Sequence, residues 1–142
     1  MKRNTIQASV LPMAILVTFA LSSCGNNEPS RKPEEFLIRV DSISMPDSLS
    51  IGQVLQLGFY GTIGEDPCHQ FKRFIIGKSV SGYTIKVIGE QTFPKGGACG
   101  EGAVIMEGRV LELPVTEAGT QIIEVENPGL NHVIRKELVV VP

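Results

Sequence analysis

Hydrophobic and polar residues alternate with a period of two along most of the chain, which is typical of β-strands. The clearest strand covers residues 54–61, where Leu55, Leu57 and Phe59 share one face and polar or small residues share the other. Similar segments, rich in β-branched residues, predict six further strands at residues 37–44, 70–79, 83–87, 103–113, 120–126 and 133–141. Loops are predicted between them at residues 61–67 and 92–102, and tight turns at Ser81-Gly82, Ala118-Gly119 and Asn127-Pro128-Gly129.

The segment 70–79 departs from simple alternation. Phe71 and Ile75 share one phase of the strand, whereas Phe74 and Ile76 share the other. A β-bulge adds one residue to a strand and shifts its phase, so a bulge or a change of face would bring both phenylalanines to the core. We therefore expect an irregularity between Phe71 and Phe74.

Seven strands with frequent turns and no helical periodicity indicate an all-β fold. Their number and spacing favour a seven-stranded immunoglobulin-like antiparallel sandwich over residues 36–142. The chain contains no Trp, and its cysteines do not fall on the two strands that carry the inter-sheet cysteine pair of immunoglobulin domains. Only the architecture is therefore carried over, by analogy.

The N-terminal segment has the three parts of a secretory signal over residues 1–23. Lys2 and Arg3 are basic, residues 10–21 are mostly apolar, and Leu21-Ser22-Ser23 ends in small residues. The apolar run is shorter than the roughly 20 residues that a membrane-spanning helix needs. Leu21-Ser22-Ser23-Cys24 resembles the lipobox of bacterial lipoproteins, which implies cleavage before Cys24 and acylation of that residue. The alternative is an ordinary cut near Ser23, which would leave Cys24 as a free thiol.

Residues 24–35 follow as a polar segment without a large apolar side chain, so we expect a flexible tether. The layout of the whole chain looks like that of small Bacteroidota lipoproteins of unknown function. The shared features are the lipobox, the tether, seven strands, a Cys followed by Phe-x-x-Phe, a second Cys and a Thr-x-Ala-Gly-Thr turn. This resemblance implies a lipid-anchored protein of the bacterial cell envelope, most simply the outer membrane, and leaves the periplasmic or surface face open.

Charge argues against a nucleic-acid partner. The whole chain has a net charge of −2, and removal of a signal that contains Lys2, Arg3 and no acidic residue makes the mature chain −4. Nucleic-acid binding favours a basic surface. The expected partners are instead the membrane, reached through the lipid anchor, and an unknown protein or glycan.

Cys68 and Cys99 remain after Cys24 is assigned to the lipid. Outside the cytoplasm such a pair predicts a disulfide, although two free buried thiols are the alternative. The bond would bring together the loops 61–67 and 92–102. Loops at the end of a sandwich commonly carry recognition, and the candidate binding residues there are Glu65, Asp66, His69, Lys95 and Glu101.

Catalytic and metal chemistry receives little support from the sequence. Cys68 and His69 are adjacent, and neighbouring strand residues point to opposite faces, so a catalytic pair is not expected. A zinc site from Cys68, His69, Cys99 and His132 lacks the usual close ligand spacing. The glycine-rich segment 95–102 has its lysine first, unlike a phosphate-binding loop. Acidic residues near Glu65 and Glu124 lack the repeated spacing of a calcium loop. We expect no catalytic residue, metal or cofactor.

Three functions follow in decreasing order of support. The first is a non-enzymatic binding or assembly module held on a tether. The second is a structural subunit of an envelope complex that pairs through a sheet edge, with the apolar segment Leu138 to Val141 as its edge. A small hydrolase is the third, and it would require two converging titratable side chains in a cavity.

Overall fold

The structure, a computed structural model, describes residues 31–94, 96–129 and 132–142. The predicted signal, Cys24 and Lys95 therefore lie outside the described residues. None of the described ranges contains an apolar helix of membrane-spanning length. These ranges are all-β, with nine strands: β1 Glu34–Leu37, β2 Arg39–Ser44, β3 Ser48–Ser50, β4 Val54–Gly64, β5 His69–Ser79, β6 Gly82–Gln91, β7 Val104–Pro114, β8 Gly119–Glu126 and β9 Val133–Val141.

Each of the seven segments predicted to be strands forms one in the structure. The count rises to nine because β1 lies mostly before the first predicted segment, with Glu34 and Glu35 in the predicted tether, and because the short β3 was not predicted. The tether prediction is therefore wrong at Glu34 and Glu35, which pair with β6. At Ile38 the chain passes from one sheet to the other, with its side chain fully buried. The Ile38 N–H still donates to the Val87 carbonyl at 2.8 Å, so the crossing leaves this donor paired.

Two sheets pack in a sandwich-like arrangement. The larger has the order β1-β6-β8-β9-β3, with β5 on the other edge of β6, and the smaller has the order β2-β4-β7. One edge of β6 is shared by β1, which pairs with residues 88–91, and by β8, which pairs with residues 82–86. The pairs β6–β8 and β3–β9 are parallel. The strands therefore do not follow the purely antiparallel order that was expected.

The core lies between the inner faces of the two sheets. The predicted rows on β4 and β6 are confirmed, because their inward side chains are almost completely buried while the alternate residues are mostly more exposed. The inward residues of β8 and β9 complete the larger sheet's face. The fully buried larger side chains are Phe59, Ile38, Leu55, Leu57, Ile85, Ile123, Leu138, Val40, Val87, Val115 and Val125. Burial of this apolar surface is the main driving force for the fold.

The expected irregularity in β5 is confirmed as a shift in its pairing with β6 between Phe71 and Arg73. Phe71 and Phe74 both pack against the core, and their ring centroids lie 4.9 Å apart. The extra residue leaves both Lys72 and Arg73 on the exposed side. The bulge therefore places two neighbouring cations on the outer face of the larger sheet.

Three local predictions were wrong. The loop predicted to begin at Gly61 begins later, because β4 continues to Gly64 and buries Ile63. The two-residue turn after β5 consists of Val80 and Ser81, one position earlier than predicted, since Ser79 pairs with Gly82.

The third concerns Leu138 to Val141, which is not an open sheet edge. The short β3 pairs with residues 139–141 on one side of β9, and β8 pairs along the other side. Leu138 and Val140 point into the core. The edge that was expected to attract a partner is thus occupied by the chain itself.

Candidate functional site

The predicted disulfide between Cys68 and Cys99 is present, with 5.6 Å between the two Cα atoms. It joins the start of β5 to the long loop that follows β6. Thr92 strengthens this connection, because its N–H donates to the Cys68 carbonyl at 2.8 Å and its hydroxyl donates to the same oxygen at 3.3 Å. We call this end of the molecule, defined by Asp66, Cys68, His69 and Cys99, the disulfide pole.

Asp66 organises the short loop before β5. Its Oδ1 accepts the Cys68 N–H at 2.9 Å and lies 2.9 Å from His69 Nδ1. The His69 ring meets Phe36 edge to face, with 5.4 Å between centroids. Gly64 is required on the other side, because a Cβ at that position would overlap the His69 ring. Asp66 and His69 are therefore tied into the structure of the loop.

The binding residues predicted from the sequence differ in how far they are buried. Asp66 and His69 are partly buried and in contact with each other, whereas Glu65 and Glu101 are exposed on the two loops. Within the described residues, one group of three possible metal ligands occurs, formed by Asp66, Cys68 and Cys99. Both sulfurs of that group are in the disulfide, so neither is a thiolate that could bind a metal or attack a substrate.

His132, the fourth residue of the hypothetical zinc set, lines a different surface feature. It borders an open groove of about 380 Å³ together with Arg39, Asp41 and Asn127. This groove lies between the edge strand β2 and the beginning of β9.

The first described residues run alongside the disulfide pole. Glu34 and His69 both pair with Gln91, from opposite edges of β6. The Arg31 guanidinium lies over the Phe93 ring, 4.0 Å from its centroid, and also bonds Glu34 at 2.8 Å. The β5–β6 turn, where Val80 is fully exposed, lies at the other end of the same strands. The chain thus enters the sandwich at the disulfide pole.

A charged cluster covers the outer face of the larger sheet next to this pole. The Glu35 carboxylate accepts hydrogen bonds from the two terminal nitrogens of Arg73, Nη1 at 2.8 Å and Nη2 at 2.6 Å. It also lies 2.9 Å from Lys72 Nζ. Lys72 also reaches Glu90 at 2.7 Å, so it lies between two carboxylates. The Arg73 hydrogen bonds, followed by that of Lys72, lower the pKa of Glu35 to about 2. Mutual pairing satisfies these charges, which leaves the cluster as a structural network.

The outer face of the smaller sheet is different, because it has an exposed aromatic ring at its centre. Tyr60 lies on the middle strand and is 41% exposed. A Cβ placed on Gly58 would lie 3.6 Å from Tyr60 Cε2, and one placed on Gly108 would lie 3.6 Å from Cζ. The ring therefore lies over the backbone at both glycines. We call Tyr60, Gly58 and Gly108 the Tyr60 platform.

Neither the platform nor the charged cluster was identified from the sequence. Alternation placed Tyr60 on the polar face of its strand, and Gly58 two residues earlier was the available sign of space beside the ring. The contribution of Gly108 depends on the pairing of β4 with β7, which no local pattern encodes. The charged cluster likewise depends on long-range pairing, because β1 and β5 pair with the two edges of β6 and bring Glu35, Lys72, Arg73 and Glu90 together.

Comparison of the chain with known proteins gave no match to a family model, to a curated protein or to a solved structure.

Proposed function

We propose that this protein is a lipid-anchored component of the bacterial cell envelope, and that its sandwich is a non-catalytic binding or assembly module. One observation carries the proposal: the chain enters the sandwich at one pole, a short distance in sequence after the proposed lipidated residue. From Cys24 to Arg31 the chain advances seven positions, which can span at most about 25 Å. The domain would then remain close to the lipid surface and be held by its disulfide pole.

This geometry separates a near side from a far side. Loops around Asp66 and Cys99 would lie nearest the membrane, while the Val80-Ser81 turn would point away from it. The sheet faces stay accessible in either leaflet. The predicted binding loops with Glu65, Asp66, His69, Lys95 and Glu101 remain part of the proposal, but the tether would restrict large partners there.

The non-catalytic part of the proposal rests on the state of Cys68 and His69. The sulfur of Cys68 is bonded to Cys99, so it is not free to act as a nucleophile. His69 bonds Asp66 and is only 18% exposed. Its ring packs edge to face against Phe36 on β1. These contacts favour a structural role for the pair.

A partial relation to immunoglobulin-like sandwiches is included in the proposal. The order β2-β4-β7 corresponds to strands A, B and E of such a domain, and the neighbours β8 and β9 correspond to F and G. The β5–β6 hairpin differs, because its second strand lies beside β8 in parallel. The relation supports a display architecture and carries no activity.

The anchor is tested by expressing the full chain in a bacterial host that acylates lipoproteins, with Cys24→Ala as the variant. We expect the membrane fraction to contain a mature protein that begins at Cys24 and carries acyl groups by mass spectrometry. Cys24→Ala should lose the acyl mass and leave the membrane fraction. An unmodified Cys24 in the mature protein would contradict the proposal.

A second candidate function, assembly through a sheet edge, is favoured by β7. This strand of 11 residues pairs with β4 on one side, and the described residues provide no strand for its other side. Unpaired edges attract other strands, whereas an added Lys discourages pairing. If β7 mediates assembly, Val110→Lys should reduce the mass of the complex in light scattering. The matched control Ile75→Lys, which adds a lysine at an exposed position of β5, should leave the mass of the complex unchanged. A monomeric wild-type protein in the membrane would count against assembly between copies.

A further inference from the structure

The Tyr60 platform presents one face of an aromatic ring to solvent. Its other face is close to the backbone positions of Gly58 and Gly108, which belong to neighbouring strands. Gly108 has a φ of +67°, a conformation that favours glycine, and a Cβ there would lie 3.3 Å from the Tyr60 hydroxyl oxygen. A side chain at Gly108 would press against the Tyr60 hydroxyl, whereas a Cβ at Gly58 would overlap Ser44 Oγ and touch the ring at 3.6 Å. The two glycines therefore let the ring lie flat.

Polar side chains lie on several sides of this ring. Ser42 and Glu107 pair with Tyr60 from the two neighbouring strands, and Ser44 pairs with Gly58. At the next outward position along β4, Gln56 Nε2 donates to Glu112 Oε1 at 3.1 Å. The border therefore combines hydroxyl groups, which donate and accept, with carboxylates, which accept.

From this arrangement we propose that the Tyr60 platform binds a neutral saccharide. The apolar C–H face of a pyranose ring can stack on the open face of Tyr60, as other flat apolar surfaces do on aromatic rings. Sugar hydroxyls can then donate to Glu107 and accept from Ser42 or Ser44. This inference names a ligand class for the proposed binding module and rests on that proposal, but it does not require the lipid anchor.

Charge selects against the obvious competing ligands. Glu107 pairs with Tyr60, Glu112 lies further along the same outward face opposite Gln56, and the cation of the neighbouring Arg39 is paired with Asp41 at 3.7 Å. An anionic sugar or a phosphate group would meet these carboxylates. The nearby Arg109 is in register with the inward Phe59, and its guanidinium lies over the Phe71 ring, 4.1 Å from the centroid. A neutral sugar has no such repulsion. Exposed Ile105 and Val110 on the edge strand add apolar surface for a second sugar unit.

The test uses the purified full chain in detergent and a panel of neutral oligosaccharides, including glucans, xylan, mannan and galactan fragments. Binding is measured by calorimetry and by NMR shifts. We expect at least one neutral oligosaccharide to bind, with shifts concentrated at residues 42–44, 56–62 and 105–112. Tyr60→Ala should weaken binding by about tenfold or more, a loss of about 1.4 kcal/mol or more. Tyr60→Phe should keep most of the affinity, because it keeps the ring.

Controls separate a local loss from a general one. Tyr83→Phe removes a hydroxyl from a buried tyrosine, and Val80→Ala truncates a fully exposed side chain at the β5–β6 turn. Both should bind like the wild type. If Tyr60→Ala folds poorly, the NMR shifts of the wild-type protein on sugar binding still show whether the sugar contacts the Tyr60 platform.

Three outcomes would overturn the inference. The first is no binding across the panel, and the second is binding with shifts confined to residues 65–69 and 96–101. A self-associating protein that becomes monomeric on Tyr60→Ala and binds no sugar would identify the face as a contact between copies, which also overturns it. None of these outcomes affects the acylation test, so the two proposals can fail separately.

Discussion

The side-chain amide of Asn127 pairs with both backbone polar groups of Val40. The Val40 N–H donates to Asn127 Oδ1 at 2.8 Å, and Asn127 Nδ2 donates to the Val40 carbonyl at 2.8 Å. Val40 lies on β2 at the edge of the smaller sheet, whereas Asn127 follows β8 of the larger sheet. The amide thus replaces a neighbouring strand at this edge. It also connects the two sheets across 87 positions of sequence.

Asn127→Ala should destabilise the protein, because it leaves the N–H and C=O of a 98%-buried residue without these partners. Unsatisfied buried groups cost about 1–3 kcal/mol each. We expect the free energy of unfolding in urea to fall by about 2–4 kcal/mol. Gln70→Ala is the matched control, since it removes an exposed amide that bonds Glu90. Its effect should stay within about 0.5 kcal/mol. Equal effects of the two changes would contradict the structural role of Asn127.

Gly82→Ala should be among the most damaging small substitutions. Gly82 has a φ of +145°, and a Cβ at that position would overlap the backbone of Ile122 on the neighbouring parallel strand. Backbone atoms cannot move aside as a flexible side chain can, so we expect a loss of about 3 kcal/mol or more.

Gly77→Ala provides the control on the same hairpin. The nearest atoms to a Cβ there belong to Thr84, at 3.8 Å, which is ordinary contact. Its unfolding midpoint should stay close to that of the wild type. A tolerated Gly82→Ala would show that β6 and β8 do not pair closely in parallel.

Loss of the disulfide should lower stability without removing the fold's core. The bond closes a loop with a sequence separation of 31, for which the chain-entropy estimate is about 3–4 kcal/mol. The double variant Cys68→Ala/Cys99→Ala should therefore unfold at lower urea concentration than wild type. Reductant should lower the midpoint of the wild type and leave that of the double variant unchanged. A reductant effect on the double variant would show that another bond is involved.

Acid should weaken the charged cluster through Glu35. Hydrogen bonds from Arg73 and then from Lys72 hold the pKa of Glu35 at about 2 in the fold, below its ordinary value of 4.5. A depressed pKa contributes stability that is present above about pH 4.5 and is lost as the pH falls toward 2. Glu35→Gln should show a shallower decline of stability across this interval. The control Val80→Ala truncates a fully exposed side chain at the β5–β6 turn, far from the cluster, and should keep the wild-type slope.

High salt should reduce the difference between the Glu35→Gln variant and the wild type, because the cluster is exposed and its charges are screened. The carboxyl shift of Glu35 can be followed directly by NMR titration. A titration midpoint near the ordinary pKa of 4.5 in the folded protein would contradict the bidentate contact with Arg73.

Local patterns predicted the strands and the bulge well because each depends on neighbouring residues. The alternation at Leu55, Leu57 and Phe59 reflects burial of one face, and the two phases around Phe71 and Phe74 required an extra residue. The misplaced end of β4 has a specific cause: Gly61 resembles a turn residue, yet it is needed because a Cβ there would overlap the Arg39 carbonyl on β2.

Long-range pairings could not be predicted in this way. The sequence Ser48–Ser50 has no strong strand pattern, and it becomes β3 because the edge of β9 is available beside it. The parallel contact of β6 with β8 similarly depends on the whole topology. At the candidate site, the disulfide followed from the number of cysteines and from their expected compartment. The flat setting of Tyr60 required Gly108, 48 positions away in the sequence.

The neighbours of β6 also determine when the molecule can complete its folding. Segments of β1, β5 and β8, at residues 34–37, 69–79 and 122–126, pair with this single strand. Among these pairs only the β5–β6 hairpin joins strands that are adjacent in sequence. The β1–β6 and β6–β8 pairs require long loops to close before their hydrogen bonds can form. Such topologies fold on the millisecond-to-second scale. A chain synthesised only as far as β6 would therefore hold a hairpin whose β6 edge still lacks β8, and the sandwich would close only after β8 emerged.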